Sequence, residues 1–288
     1  MKVLSAILFL VYAAPAGAQT NQSEVYRVTV VAKSTKAIRY EQQSLPTRIG
    51  FKGTVLMPDA KGKATVTPQR GMTAIDAKFE RVPAPSRFGT EYLTYVLWAI
   101  SPEGQTENLG ELILDSSDDG RLRVSTRLPT FALIVTAEPY FSVTQPGDVV
   151  VLENVVLPET TGKIIELRAK DELFPRGEYV YDRSAAEMNP ETPMVSMKQY
   201  EALLALYQAQ NALQIAEAAG AATEASDTYA RASALYEQAR QLNTRKGQQR
   251  QVVTAAREAV QAAQDARLIA EKRQEQSREE PIIITPDQ

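Results

Sequence analysis

From Ser196 onward, alanine sets a repeat that only helices can use. Ala202, Ala205, Ala209, Ala212, Ala216 and Ala219 recur at alternating spacings of three and four, with Leu206 and Leu213 beside them. That spacing places them on one helix face. Gly220 supplies a stop, and residues 223–227 a new cap. A second helix aligns Ala225, Tyr229, Ala232, Tyr236 and Ala239, and residues 243–247 break it. A third carries Val252, Ala256, Ala259, Ala263, Ala266 and Ala270 to about residue 276, before Pro281, which cannot continue a helix. A repeat near 3.5 residues favours a left-handed supercoil, and alanine at the seam lets helix axes approach closely. The expectation is an antiparallel three-helix bundle over residues 196–280. Gln248 and Gln264 lie off the stripe and are expected to tolerate larger side chains. A tetratricopeptide-like hairpin is the alternative, and it requires a matching second repeat that the sequence does not show.

The preceding stretch, residues 24–170, has a period of two. Short runs rich in Val, Ile, Thr, Tyr and Phe alternate with Gly, Pro, Asp and Ser clusters. Strands are expected at 25–31, 51–57, 73–82, 92–100, 109–114, 122–125, 131–136 and 149–157. In the third of these, Ile75, Ala77 and Phe79 share one face while Asp76, Lys78 and Glu80 share the other, so one side is wet. Residues 92–100, YLTYVLWAI, are apolar on both faces and predict a central strand covered on both sides. Frequent turns without intervening helices imply an antiparallel sandwich or barrel, and a sandwich-like head is the favoured form. Residues 171–195 carry four turn-forming Pro or Gly positions and form a connector, in which Tyr179 and Tyr181 could add a short strand. Residues 281–288 form a tail, frayed or added to a sheet edge. The fold class is α+β with segregated halves.

Composition narrows the chemistry. The 288 residues contain no histidine and no cysteine. The commonest general base, the commonest metal ligand, the thiol nucleophile and the disulfide are therefore all missing. Net charge is −3, which gives no basic field for nucleic acid. No cofactor site is expected, and catalysis by Ser-His-Asp or Cys-His machinery is excluded. At the N-terminus, Lys2, an apolar run from Val3 to Ala14 and the small residues Ala16, Gly17 and Ala18 read as a signal peptide over 1–18, cleaved before Gln19. An uncleaved anchor is the alternative, but the run is short against the roughly 20 apolar residues of a spanning helix. The expected destination is the periplasm or the exterior, with no membrane-spanning segment after cleavage.

Two stretches carry a family resemblance. SRFGTEYLTYVLWAISPEGQTENLGELIL and LIVTAEPYFSVTQPGDVVVLENVV, within residues 49–157, resemble the β-rich head of bacterial OmpA-family envelope proteins. Residues 198–273, with AREAVQ followed by DARLIA, resemble the alanine-rich helical domain of unknown function that follows that head. The resemblance implies an envelope location and names no catalytic residue. The peptidoglycan-binding domain usual in such proteins is not expected before Gln288.

Four groups are candidate sites. Asp115, Ser117, Asp119 and Gly120 fall at calcium-loop positions one, three, five and six, but Thr126 stands where a bidentate Glu belongs; a hairpin turn is the better reading. Glu103, Glu107 and Glu111 could supply a glycosidase carboxylate pair, or be wet residues near a Pro-Glu-Gly turn. Tyr95 and Trp98 could form a sugar platform, but they lie on opposite faces of an apolar strand, so at least one belongs to the core. Arg245, Lys246 and Arg250 gather between the second and third helices, as the candidate contact for an anionic partner or as a solvated connector. The alanine stripes are also candidate seams for oligomers, once packing within the chain is satisfied. The expected function is a non-enzymatic structural or adaptor role in the envelope, touching other envelope proteins or cell-wall polymer. The alternative is a sugar- or peptide-binding head with a helical spacer.

Overall fold

The computed structural model describes residues 36–40, 45–166 and 196–279; the expected signal peptide, the strand at 25–31, the connector at 171–195 and the tail lie outside them. The strands are β1 (Lys36–Arg39), β2 (Thr47–Gly53), β3 (Lys61–Gln69), β4 (Met72–Glu80), β5 (Thr94–Ile100), β6 (Thr106–Leu112), β7 (Gly120–Thr126), β8 (Thr130–Glu138), β9 (Val150–Val155) and β10 (Lys163–Glu166). Four helices follow: α1 (Met197–Ala218), the one-turn α2 (Ala221–Glu224), α3 (Ser226–Asn243) and α4 (Gln249–Glu279). The halves are segregated as expected.

The sandwich is not. All strands among the described residues belong to one antiparallel sheet in the order β10-β1-β8-β9-β2-β3-β4-β7, with β5 also on β8 and β6 beyond β5. The reason lies in β8, whose nine residues are long enough to serve several neighbours. It pairs with β5 from Thr94↔Glu138 to Ile100↔Ala132, and its other edge is shared by β1 and β9. A strand used on both edges joins what would have been two layers. The outermost strands β6 and β7 then come side by side, with a bridge at Leu114–Gly120, so the sheet curls into a nearly closed barrel.

Inside the barrel lie Ile49, Phe51, Ile75, Phe79, Tyr95, Leu97, Leu133 and Val135. The β4 alternation is as read: Ile75, Ala77 and Phe79 are buried, and Asp76 pairs outside with Arg121 and Arg123. Strand β3 had no signal. Its outward face carries Lys61 and Lys63, and its inward face carries Gly62, Ala64, Val66 and Pro68, too small and turn-like to read as a strand. A Cβ at Gly62 would stand 2.7 Å from the Lys78 carbonyl oxygen, so glycine permits the close β3–β4 approach. Strand β2 ends earlier than expected because the Thr54 hydroxyl donates to the Val150 carbonyl at 2.8 Å and accepts from the Leu56 amide, which turns the chain.

Every residue of β5 is buried. Tyr95, Leu97 and Ala99 point into the barrel; Val96, Trp98 and Ile100 point out of it and join the helices in one apolar cluster. The second cover expected for this strand is therefore the helical domain itself.

Ser196 and Gln199 form a capping box at α1, which satisfies amides that the first turn leaves unpaired. Gly220, at φ 82°, ends the first helical stretch in the left-handed region, where a side chain is strained. The alanine stripes are buried, and α4 packs against both α1 and α3. They are used within the chain. Gln264 departs from expectation: it is 1 % exposed, because α4 has a second buried face. No helix among the described residues is long and apolar enough to cross a membrane.

Candidate functional site

The polar residues that reasoning from sequence left unassigned converge where α1 and α4 lie on the barrel. On α4, Arg257, Val260, Gln264 and Arg267 recur at spacings of three and four beside the alanine stripe, so they form a second face. On α1, Gln208 and Asn211 stand three apart. Both helices meet the segment leaving β8, residues 139–144.

Glu111 is the hub. Its side chain is 6 % exposed. One carboxylate oxygen accepts from the Thr94 hydroxyl at 2.8 Å and from Gln208 Nε2 at 2.7 Å. The other accepts from Arg257 Nη1 at 2.5 Å, and that guanidinium sits 3.8 Å from the Phe141 ring centroid. Gln208 also accepts the Phe141 amide at 3.0 Å, while Asn108 Nδ2 donates to the Phe141 and Val143 carbonyls. Asn211 Nδ2 donates to the Glu91 carbonyl at 3.0 Å. Further along α4, Tyr140 donates to Gln264 Oε1 at 2.5 Å, and Gln264 Nε2 reaches Thr144 at 3.3 Å. Burial raises the Tyr140 hydroxyl to about 12. Burial opposes the Arg267 charge, yet Tyr140 and Glu271 outweigh it and hold the guanidinium above its usual range.

This arrangement does mechanical work. Polar side chains of α1 satisfy backbone groups of the head and those of α4 satisfy its side chains, and a buried group stripped of such a partner costs about 1–3 kcal/mol. Beneath them the apolar contact of Val96, Trp98, Ile100, Ile134 and Val143 with the helices supplies the area term.

The other candidates are placed as follows. Asp115 caps its own turn, accepting the Ser117 and Asp119 amides at 2.8 and 3.2 Å, and no acidic cluster among the described residues could hold a metal ion. Glu107 accepts from Thr126 at 2.5 Å and Glu103 lies exposed in a turn, while Glu111, which lines one shallow cavity with Glu107, is tied to Arg257, Thr94 and Gln208. Tyr95 and Trp98 are both core, which removes the sugar platform. Trp98 Nε1 donates to Thr136 at 2.8 Å, and Tyr95 donates to the Pro83 carbonyl at 2.7 Å. Arg245, Lys246 and Arg250 are exposed around the α3–α4 loop.

No known family model matches this chain, and no curated protein matches it in sequence. The sequence motifs quoted above have a physical relation to one another. TEYLTYVLWAI and EPYFSVT supply Thr94, Trp98, Tyr140 and Phe141, and AREAVQAAQDAR supplies Arg257, Gln264 and Arg267. The stretches are on opposite sides of one interface.

Proposed function

We propose that this chain is a non-enzymatic structural or adaptor protein of the bacterial envelope, exported by the N-terminal signal and acting as one body made of barrel and helices. The supporting observation is the junction. Trp98, the single tryptophan, lies fully buried between the barrel wall and the helices. A flexible spacer would not need a second cover for β5. The missing His and Cys agree with a role that is not catalytic. Contact with an anionic envelope polymer through Arg245, Lys246 and Arg250 belongs to this proposal, since these side chains are exposed.

Cell fractionation with N-terminal sequencing tests the location. The expected product begins near Gln19 and lies in the periplasmic fraction; a full-length cytoplasmic product overturns the export half of the reading. Equilibrium unfolding followed by tryptophan fluorescence and by far-UV circular dichroism tests the other half. Coincident transitions support one body, and separate ones overturn it.

A second reading, ligand binding by the head, is favoured by one observation: the junction leaves an open cleft beside α1.

A further inference from the structure

Where the first turns of α1 cross the end of β6, the cleft encloses about 280 Å³. Leu93, Leu112, Leu114 and Leu204 line it with Pro85 and Tyr95. Two exposed large apolar side chains, Ile113 and Tyr200, also belong to its lining. Exposed apolar residues around an apolar cleft are the signature of a binding surface, because a free surface gains nothing from them.

The charged residues that line it have one sign. Glu111, Asp115, Asp118 and Glu201 line the cleft, and no Lys or Arg does. Glu111 is neutralised by Arg257, and Asp115 is engaged by its own turn. Asp118 and Glu201 remain as exposed carboxylates. Arg87, outside the lining, acts electrostatically on Tyr95, and Asp118 opposes it there.

We propose that this cleft binds a basic peptide segment, which inserts one apolar side chain and sets a lysine or arginine against Asp118 and Glu201. The inference rests on the ligand-binding reading and narrows its sugar-or-peptide choice. The volume lies just below the range of ligand pockets, roughly 300 Å³ upward, and suits one anchoring side chain rather than a lipid tail. Carboxylates at the mouth repel anionic headgroups and attract cations. Sugar recognition would have a single ring to stack on, that of Tyr200, since Tyr95 and Trp98 have no exposed ring face.

Titration calorimetry on the full chain tests this with three probes: a Gly-Lys-Leu-Arg-Gly-Ser peptide, its Glu-Leu-Glu counterpart and chitotetraose. The basic peptide is expected to bind saturably and more weakly as salt rises, and the other two not at all. Glu201→Lys replaces an attraction with a repulsion at an exposed position and should weaken binding about five-fold. Tyr200→Ala should weaken it as well, and both variants should melt like the parent chain. Equal binding of the acidic peptide overturns the proposal, and so does binding that both variants leave unchanged. If chitotetraose alone binds, the peptide inference falls and the ligand-binding head survives. If no probe binds, both fall.

Discussion

Replacing Arg257 by methionine isolates the electrostatic part of the barrel–helix junction. Methionine keeps much of the side-chain volume over Phe141 and removes the charge, its hydrogen bond and the cation's contact with the Phe141 ring. Glu111 would then keep Thr94 and Gln208 as neutral donors but lose the cation at 2.5 Å. Breaking a buried ion pair costs about 3–5 kcal/mol, and an exposed pair contributes about 0–1 kcal/mol. The two side chains are 39 % and 6 % exposed, which places this pair between those limits. A loss of about 2–3 kcal/mol follows, most of it from the stranded carboxylate rather than from the lost attraction. That partition is testable. Adding Glu111→Gln to the Arg257→Met chain removes the stranded charge and should restore at least about 1 kcal/mol. Urea unfolding followed by Trp98 fluorescence and by circular dichroism measures both. The argument fails if Arg257→Met stays within about 0.5 kcal/mol of the parent, or if the second substitution recovers nothing.

Two further outcomes follow from the same packing. Ala259 is fully buried on the α4 stripe and Gln261 is exposed, so in denaturant unfolding Ala259→Leu should cost about 1–3 kcal/mol by overpacking while Gln261→Leu stays within about 0.5 kcal/mol. Equal tolerance would mean the alanines are merely good helix formers. At high pH the buried tyrosines decide the outcome: burial raises Tyr140 from 10.0 to about 12 and raises Tyr40 and Tyr95 as well. A raised folded-state pKa contributes stability that is whole below the unfolded value and lost as pH climbs through the folded one. Stability should therefore hold below pH 10 and fall between 10 and 12, with Tyr140→Phe making the fall shallower in a circular-dichroism titration.

Local patterns made the elements legible. The three- and four-residue alanine spacing marks α1, α3 and α4, with ends at Gly220 and around residues 243–247, because helix geometry repeats within a few residues of chain. Strict alternation marks β4, and the doubly apolar run marks β5 as covered on both faces. The same logic could not see β3, whose inward residues are too small to alternate audibly, nor could it distinguish a sandwich from a barrel. That choice depends on which strand β8 shares its edges with, a matter of long-range pairing with no local trace.

What covers β5 was likewise decided only in three dimensions. Arg257, Gln264 and Arg267 have the helical spacing of a buried face, yet charged and amide side chains read as wet when their partners are unknown. Their partners, Glu111, Thr144 and Tyr140, are more than a hundred residues away in the chain. A polar residue is buried only when a specific donor or acceptor awaits it, and sequence gives the residue without the partner. Apolar periodicity is different, since an apolar face must be covered by something whatever the tertiary arrangement. The amino-acid sequence by itself therefore determined that β5 and the alanine stripes would be buried. The tertiary structure decided that the helices and the barrel would bury each other.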